Sequence, residues 1–263
     1  MRVGSVPYLV GRPLDLGLGS RACEGEVELV RAVPARLVAG LRDGSLDVAL
    51  VSSIELFRRP GYRYLPGLAV VGRGELASIR LFLRRPLSDV RRIALDPASR
   101  TTSALLRVLA TDLGLDAELL ETGADEDPRA SDADGWLRIG DAALRESLEV
   151  PALPRVDLCS TWVRATGLPF AFAVWIVAPG APVEGRERLF RDSRVVGAAA
   201  AAACARDHAR AAGLPEAALL NYLLEECSYE IEDELAATLE EFRRRAAAHD
   251  LVDATLSAVP HHS

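Results

Sequence analysis

Short β-branched runs alternate with helical stretches through most of this chain, and several of the runs stop abruptly at small or hydroxyl-bearing residues. In "LDVALVSSIELF" the buried strand 47–51 ends directly in Ser52 and Ser53. "GSVPYLVGRPL" (4–14) breaks earlier still, into a turn with Pro7, Pro13 and two glycines. "EVELVRA" (26–32) leads into "PARLVAGLRDG", a helix with Pro34 near its start and Gly44 past its end. "LAVVGRG" and "SIRLFLRR" read as further strands. "RRIALDPASRTTSALLRVLATDLGL" reads as strand, loop and a helix from about Ser99–Thr101 to Gly114, and "DGWLRIGDAAL" repeats the pattern. Alternation of this kind predicts an α/β protein with parallel sheets. From about Arg186 onward the pattern turns helical.

The middle of the chain forms a strand–helix set of its own, bounded by "LRRPLSD" and "FAFAVWIVAPG". A chain that goes out to a second lobe and returns makes two crossovers. The expected division is a first lobe from 1–83, a second from 84–175, and a return with C-terminal helices over 176–263, with crossings near 84–86 and 171–177. Ligands of such folds sit between the lobes, at the carboxyl ends of strands.

Composition removes several function classes. The 263 residues carry a net charge of −7, and all 31 basic residues are arginine, interspersed with carboxylates. With 5% aromatic residues there is little to stack on bases, so no nucleic-acid partner is expected. The alanine run Ala198–Ala203 is too short to span a bilayer. Arg2 is followed by a Pro/Gly-broken segment and not by a signal-peptide apolar stretch, so a cytoplasmic protein without a membrane partner is expected. Cys23, Cys159, Cys204 and Cys227 contain no CxxC pair, and the four histidines lie in the last quarter. Neither set has metal-ligand spacing, so reduced, packed thiols and no metal are expected.

Small hydroxyl residues recur at strand ends and at a helix start: Ser5, Ser52 with Ser53, and Ser99, Thr101, Thr102 and Ser103. Hydroxyls beside the free amides of a helix N-terminus suit a small anion, although one Ser or Thr there also serves as an ordinary cap. Ser78 and Arg80 lie two apart on one side of a strand, either as ligand contacts or as an edge strand's polar face. Asp141 follows "WLRI" in a Gly-Asp turn, as a helix cap or a cleft carboxylate. Asp47 reads as a turn residue opening a strand, and Glu55 as an exposed helix carboxylate. There is no GxSxG elbow, P-loop, HExxH or GxGxxG after a strand.

"SVPYLVGRPL", "LRDGSLDVALVSSIELFR", residues 78–109, "LRIGDAAL" and "TGLPFAFAVW" occur in this order. Together they resemble the chorismate dehydratases of the futalosine route to menaquinone, densely over about 1–180 and loosely over the tail. The resemblance implies a type II periplasmic-binding-protein fold with two lobes around a cleft. It implies removal of water from the dianion chorismate to give 3-[(1-carboxyvinyl)oxy]benzoate, with no cofactor. It also implies that Ser5 and Tyr8 lie on the cleft wall. Family members typically read "YLN" where this chain has Tyr8-Leu9-Val10, so Val10 stands where an asparagine is expected to contact substrate. The proton acceptor is then the substrate's own carboxylate or a cleft carboxylate such as Asp141. Two alternatives remain at this stage. One is a non-catalytic small-anion-binding relative. The other is the sister 1,4-dihydroxy-6-naphthoate synthase, whose Ile-His-Glu motif has a histidine base where this chain has Gly140.

Overall fold

The computed structural model describes residues 1–98, 100–123 and 126–261. In chain order the strands are β1 (Arg2–Ser5), β2 (Glu28–Arg31), β3 (Val48–Ser52), β4 (Arg63–Gly72), β5 (Ile79–Leu83), β6 (Arg92–Ala94), β7 (Glu118–Leu120), β8 (Gly135–Ile139), β9 (Arg155–Asp157), β10 (Phe170–Val177) and β11 (Cys227–Ile231). The α-helices are α1 (Arg12–Asp15), α2 (Pro34–Asp43), α3 (Arg100–Leu109), α4 (Gly140–Glu149), α5 (Leu158–Thr166), α6 (Glu187–Ala212), α7 (Glu216–Asn221) and α8 (Asp233–Ala247). No helix among the described residues is long and apolar enough to cross a membrane.

Local chemistry sets the helix ends. Pro34 opens α2, where its missing N–H costs nothing, and Gly44 closes it at φ 76°. Asp157 caps α5 by accepting a hydrogen bond from Ser160 N at 2.6 Å, and Gly167 ends that helix at φ 73°.

The strands form two sheets, in the orders β11-β4-β10-β3-β1-β2 and β7-β6-β8-β5-β9. The sheets are mixed, where parallel ones were expected. β1, β2 and β3 pair in parallel, as do β6, β7 and β8, while β10 and β5 run antiparallel to both of their neighbours. These two are the first strands after each crossing. The parallel strands finish at the cleft, so a strand that begins at the cleft must run away from it, opposite to its neighbours.

The crossings lie elsewhere than expected. β5 belongs to the second sheet and β10 to the first, which puts the crossings at 73–78 and 167–169 and not near 84–86 and 171–177. The breaks around Pro86 and after Val177 follow the crossing strands, whereas the glycines and proline of "GRGELAS" and "TGLP" precede them. Two further expectations change. β11 lies inside the stretch read as helical, as an edge strand on β4 with alternating burial. Glu55 is buried, with one carboxylate oxygen bonded to Arg42 at 2.6 and 2.8 Å.

The long helix α6 crosses α1 closely, and Gly197 permits the approach. A β-carbon there would overlap the Pro13 carbonyl. Backbone cannot swing aside as a flexible side chain can. Gly197→Ala is therefore expected to lower the unfolding free energy by about 1–3 kcal/mol, measured by denaturant titration. An unchanged midpoint would show that the α1–α6 contact is loose.

Candidate functional site

One pocket, enclosing about 680 Å³ with its open mouth, lies between the two sheets. The first lobe supplies Val6, Tyr8, Val10, Val51, Ser52, Val70, Phe172 and Ala173, and the second supplies Ile79, Ala98, Thr101, Thr102, Ile139 and Gly140. Leu76 and Ser78 join from the first crossing, and Tyr222 from the C-terminal region. Most of these residues end or follow strands, as the topology requires.

Tyr8, Val10, Ser52, Ser78, Thr101 and Thr102, all singled out from the sequence, converge here. Thr101 and Thr102 occupy the first turn of α3. Thr101 Oγ1 also lies 3.5 Å from Ile54 N, which donates to it across the lobes. Burial, with Asp96 and Asp141 nearby, holds the Tyr8 phenol above its ordinary pKa, so it remains a hydrogen-bond donor at neutral pH. Val10 is half-buried and faces the pocket. No other residue replaces its expected carboxamide, because the chain has a single asparagine, Asn221, and no glutamine. Asn221 donates to Glu226 Oε1 at 2.8 Å, away from the pocket lining.

Four other candidates lie elsewhere, and Ser99 lies outside the described residues. Ser5 is fully buried and does not line the pocket, because the chain turns into the cleft only after β1 has ended. Ser53 is also fully buried, and its hydroxyl donates to Ala171 O at 2.7 Å, stitching β3 to β10. Arg80 is buried against Asp157, whose carboxylate also accepts from Leu76 N at 2.8 Å and Ser160 N at 2.6 Å. Its charge is therefore spent inside the second lobe. Asp141 lies outside the pocket lining, in the first turn of α4, 3.3 Å from His208 Nε2.

Two site features escaped the sequence reading. Tyr222 reaches the pocket from a π-helical turn, Tyr222–Glu226, that follows α7. Its hydroxyl bonds to the Ser78 side chain, and burial pushes its pKa well above the ordinary phenol. Nothing local in "NYLLEEC" signals this, since the contact spans well over a hundred residues of sequence. Asp96, at the end of β6, accepts from Ala98 N at 2.9 Å and Ile139 N at 3.1 Å, bracing two cleft loops together. Burial raises its pKa against those bonds. Its position just before Pro97, directly after a strand, was the available signal.

Two sheets joined by two crossings around a pocket at the strand ends define a two-lobed binding-protein architecture. Solved structures agree. Protein AF1704 from Archaeoglobus fulgidus superposes with a TM-score of 0.76 at 19% identity, covering 95% of this chain and 98% of that one. The alkanesulfonate-binding protein SsuA from Xanthomonas axonopodis pv. citri gives a TM-score of 0.68 at 18% identity, covering 96% and 93%. The fold is that of the periplasmic-binding proteins. In sequence, residues 1–248 match the family described as menaquinone biosynthesis. A chorismate dehydratase from Thermus thermophilus is 30% identical over 240 residues, 82% of this chain and 87% of that protein. One from Campylobacter jejuni is 29% identical over 177 residues, 66% of each. This chain belongs to the menaquinone biosynthesis family.

The geometry separates supporting side chains from ligand-facing ones. Arg80→Ala leaves the buried Asp157 carboxylate without its countercharge, so it should cost about 3–5 kcal/mol of stability. Ser78→Ala, which removes one hydroxyl bond to Tyr222, should cost about 1 kcal/mol. Denaturant titration of both variants reads the difference, and equal losses would count against the assignment of Arg80.

Proposed function

We propose that this chain is a chorismate dehydratase. The observation that carries the reading is the lining of the inter-lobe pocket: apolar surface, hydroxyls and the first turn of a helix, with no carboxylate or imidazole among the described lining residues. The family membership and the two named relatives support it.

The chemistry suits such a lining. The proton to be lost sits on the ring carbon that bears the enolpyruvyl ether, and it is acidified through the adjacent double bond by the ring carboxylate. Its C–H electron pair becomes a ring double bond as the neighbouring C–O bond breaks. Hydroxide departs and leaves with the proton as water, and the ring becomes aromatic. Aromatisation supplies the driving force, so no strong protein base is required. With Asp141 outside the pocket lining, the substrate's own carboxylate is the proton acceptor in this reading.

The protein's part is to hold a dianion and stabilise charge as it shifts. Ser52, Thr101 and Thr102 bind substrate oxygens, with the α3 amides and the positive end of its dipole favouring a carboxylate. Tyr8 and Ser78 donate toward the leaving hydroxyl. Preorganised donors in an apolar, water-poor site are worth more than the same donors in water.

The sister naphthoate synthase gains no support. Gly140 lies at φ 62°, a conformation that would strain a histidine, and no imidazole lines the pocket. Val10 favours the second alternative, a binding relative without turnover. An isopropyl group neither donates nor accepts, so a polar part of the substrate loses a partner there, a penalty of roughly 1–3 kcal/mol.

Purified protein incubated with chorismate should yield 3-[(1-carboxyvinyl)oxy]benzoate by chromatography. Val10→Asn should raise kcat/KM by about ten- to a hundredfold. Saturable chorismate binding with no product from either form would establish the binding relative. A Val10→Asn enzyme no faster than the parent would show that this cleft does not need the carboxamide.

A further inference from the structure

Asp141 lies outside the pocket lining, yet it meets the other lobe. It belongs to α4 of the second lobe, and its carboxylate reaches two groups of the first lobe. One is His208 on α6, with Nε2 3.3 Å from Oδ2. The other is the backbone N–H of Leu9, close enough to the carboxylate to hold its pKa down against burial. Leu9 is flanked by Tyr8 and Val10, both of which line the pocket, as does Gly140 immediately before Asp141. The same two helices meet again one turn along, where Arg145 Nη2 donates to Ala212 O at 2.8 Å. Ala212 closes α6, so the guanidinium also meets the negative end of that helix.

We propose that Asp141 and His208 form a latch that holds the lobes together and fixes the Tyr8–Val10 wall against the ligand. Asp141 is thus a positioning residue and not the proton acceptor. Opening the cleft separates α4 from α6 and Leu9, so these contacts belong to the closed form. A ligand that binds the closed form gains affinity in proportion to the closed population. The kinetic arm of the test rests on the reading of this cleft as the chorismate site; the exchange arm does not.

Four single variants, Asp141→Ala, Asp141→Asn, His208→Ala and His208→Gln, and one double variant decide it. Without ligand, hydrogen exchange followed by mass spectrometry should show the Leu9 amide exchanging about tenfold faster or more in Asp141→Ala. Asp141→Asn keeps an acceptor for Leu9 and should protect that amide. With chorismate, Asp141→Ala should raise KM about tenfold with kcat unchanged or higher, since opening for product release becomes easier. His208→Ala should raise KM about two- to fivefold, and His208→Gln, which keeps a polar group opposite Asp141, should recover part of the loss. The Asp141→Ala/His208→Ala double variant should be no worse than Asp141→Ala alone.

A collapse of kcat at constant KM in Asp141→Ala would make the residue catalytic and overturn the latch. So would unchanged Leu9 exchange, or additive losses in the double variant. If the protein turns over no chorismate, Leu9 exchange and the radius of gyration of Asp141→Ala by small-angle scattering still decide the latch, and only the functional reading fails. If Asp141→Ala does not fold, His208→Ala on the opposite lobe carries the same exchange test.

Discussion

An aromatic cluster at the second crossing ties the lobes together. Trp162 of α5, Phe170 at the start of β10 and Phe242 of α8 meet edge to face, with ring centroids 5.0 to 6.1 Å apart. All three are fully buried, and each buried ring contributes about 1.5–3 kcal/mol. Between them runs the crossing itself, where the Pro169 carbonyl accepts from Trp162 Nε1 at 3.1 Å and from the Thr238 hydroxyl. One atom of the connection is thus held by a residue from each side. The first crossing is gripped in the same way, with Leu76 N–H bonded to Asp157 of the second lobe and Ala77 N–H to Glu226 of the first, at 2.8 and 2.7 Å. Each crossing is thus clamped at its peptides, and Leu76 and Ser78 of the first crossing are already part of the pocket.

How much of this was legible follows from how local each signal is. The α/β class, the strand ends and the α3 start are written in periodicity and hydroxyl placement within a few residues. Thr101, Thr102 and Ser52 could be found because strand end and helix start are themselves the site. The crossings were misplaced by a few residues because Pro and Gly mark every turn, and nothing local distinguishes a turn within a lobe from one between lobes. Ser53 and Arg80 misled for a related reason. A serine next to a cleft serine, and an arginine two residues from one, look the same in sequence whether they face ligand or protein. Only Ala171 and Asp157, brought in from more than seventy residues away, decide the matter. Tyr222 and His208 were invisible for the same reason.

In the proposed reading a dianion is accommodated with no arginine among the described lining residues. Arginine is the only strong cation type in this chain, and three arginines on elements around the cleft are committed to carboxylates: Arg80 to Asp157, Arg12 to Asp15, and Arg138 to Glu146 and Asp127. What remains is neutral donors and a helix terminus. A full countercharge would stabilise substrate and transition state alike, and uniform binding of that kind does not speed the chemical step. Oriented dipoles can instead be aimed at the oxygens where charge changes during elimination, at no reorganisation cost when the reaction occurs.

This places the burden of catalysis on complementarity and not on a reactive side chain. A binding protein on this fold closes over an anion and holds it still. When the anion is one loss of water away from an aromatic ring and carries its own carboxylate base, as in the proposed reading, holding it still in the correct geometry supplies much of what the reaction needs. The step from binder to enzyme is then short on this scaffold, and it is reversible through single contacts. In the proposed reading Val10 sits at such a contact. Its neighbour Leu9 lies close to Asp141, so under the proposed latch the segment that sets the polarity of the cleft wall also senses whether the lobes are shut. If both proposals hold, polarity at position 10 and closure through position 9 act on the same bound ligand through adjacent residues, one by direct contact and the other through the backbone.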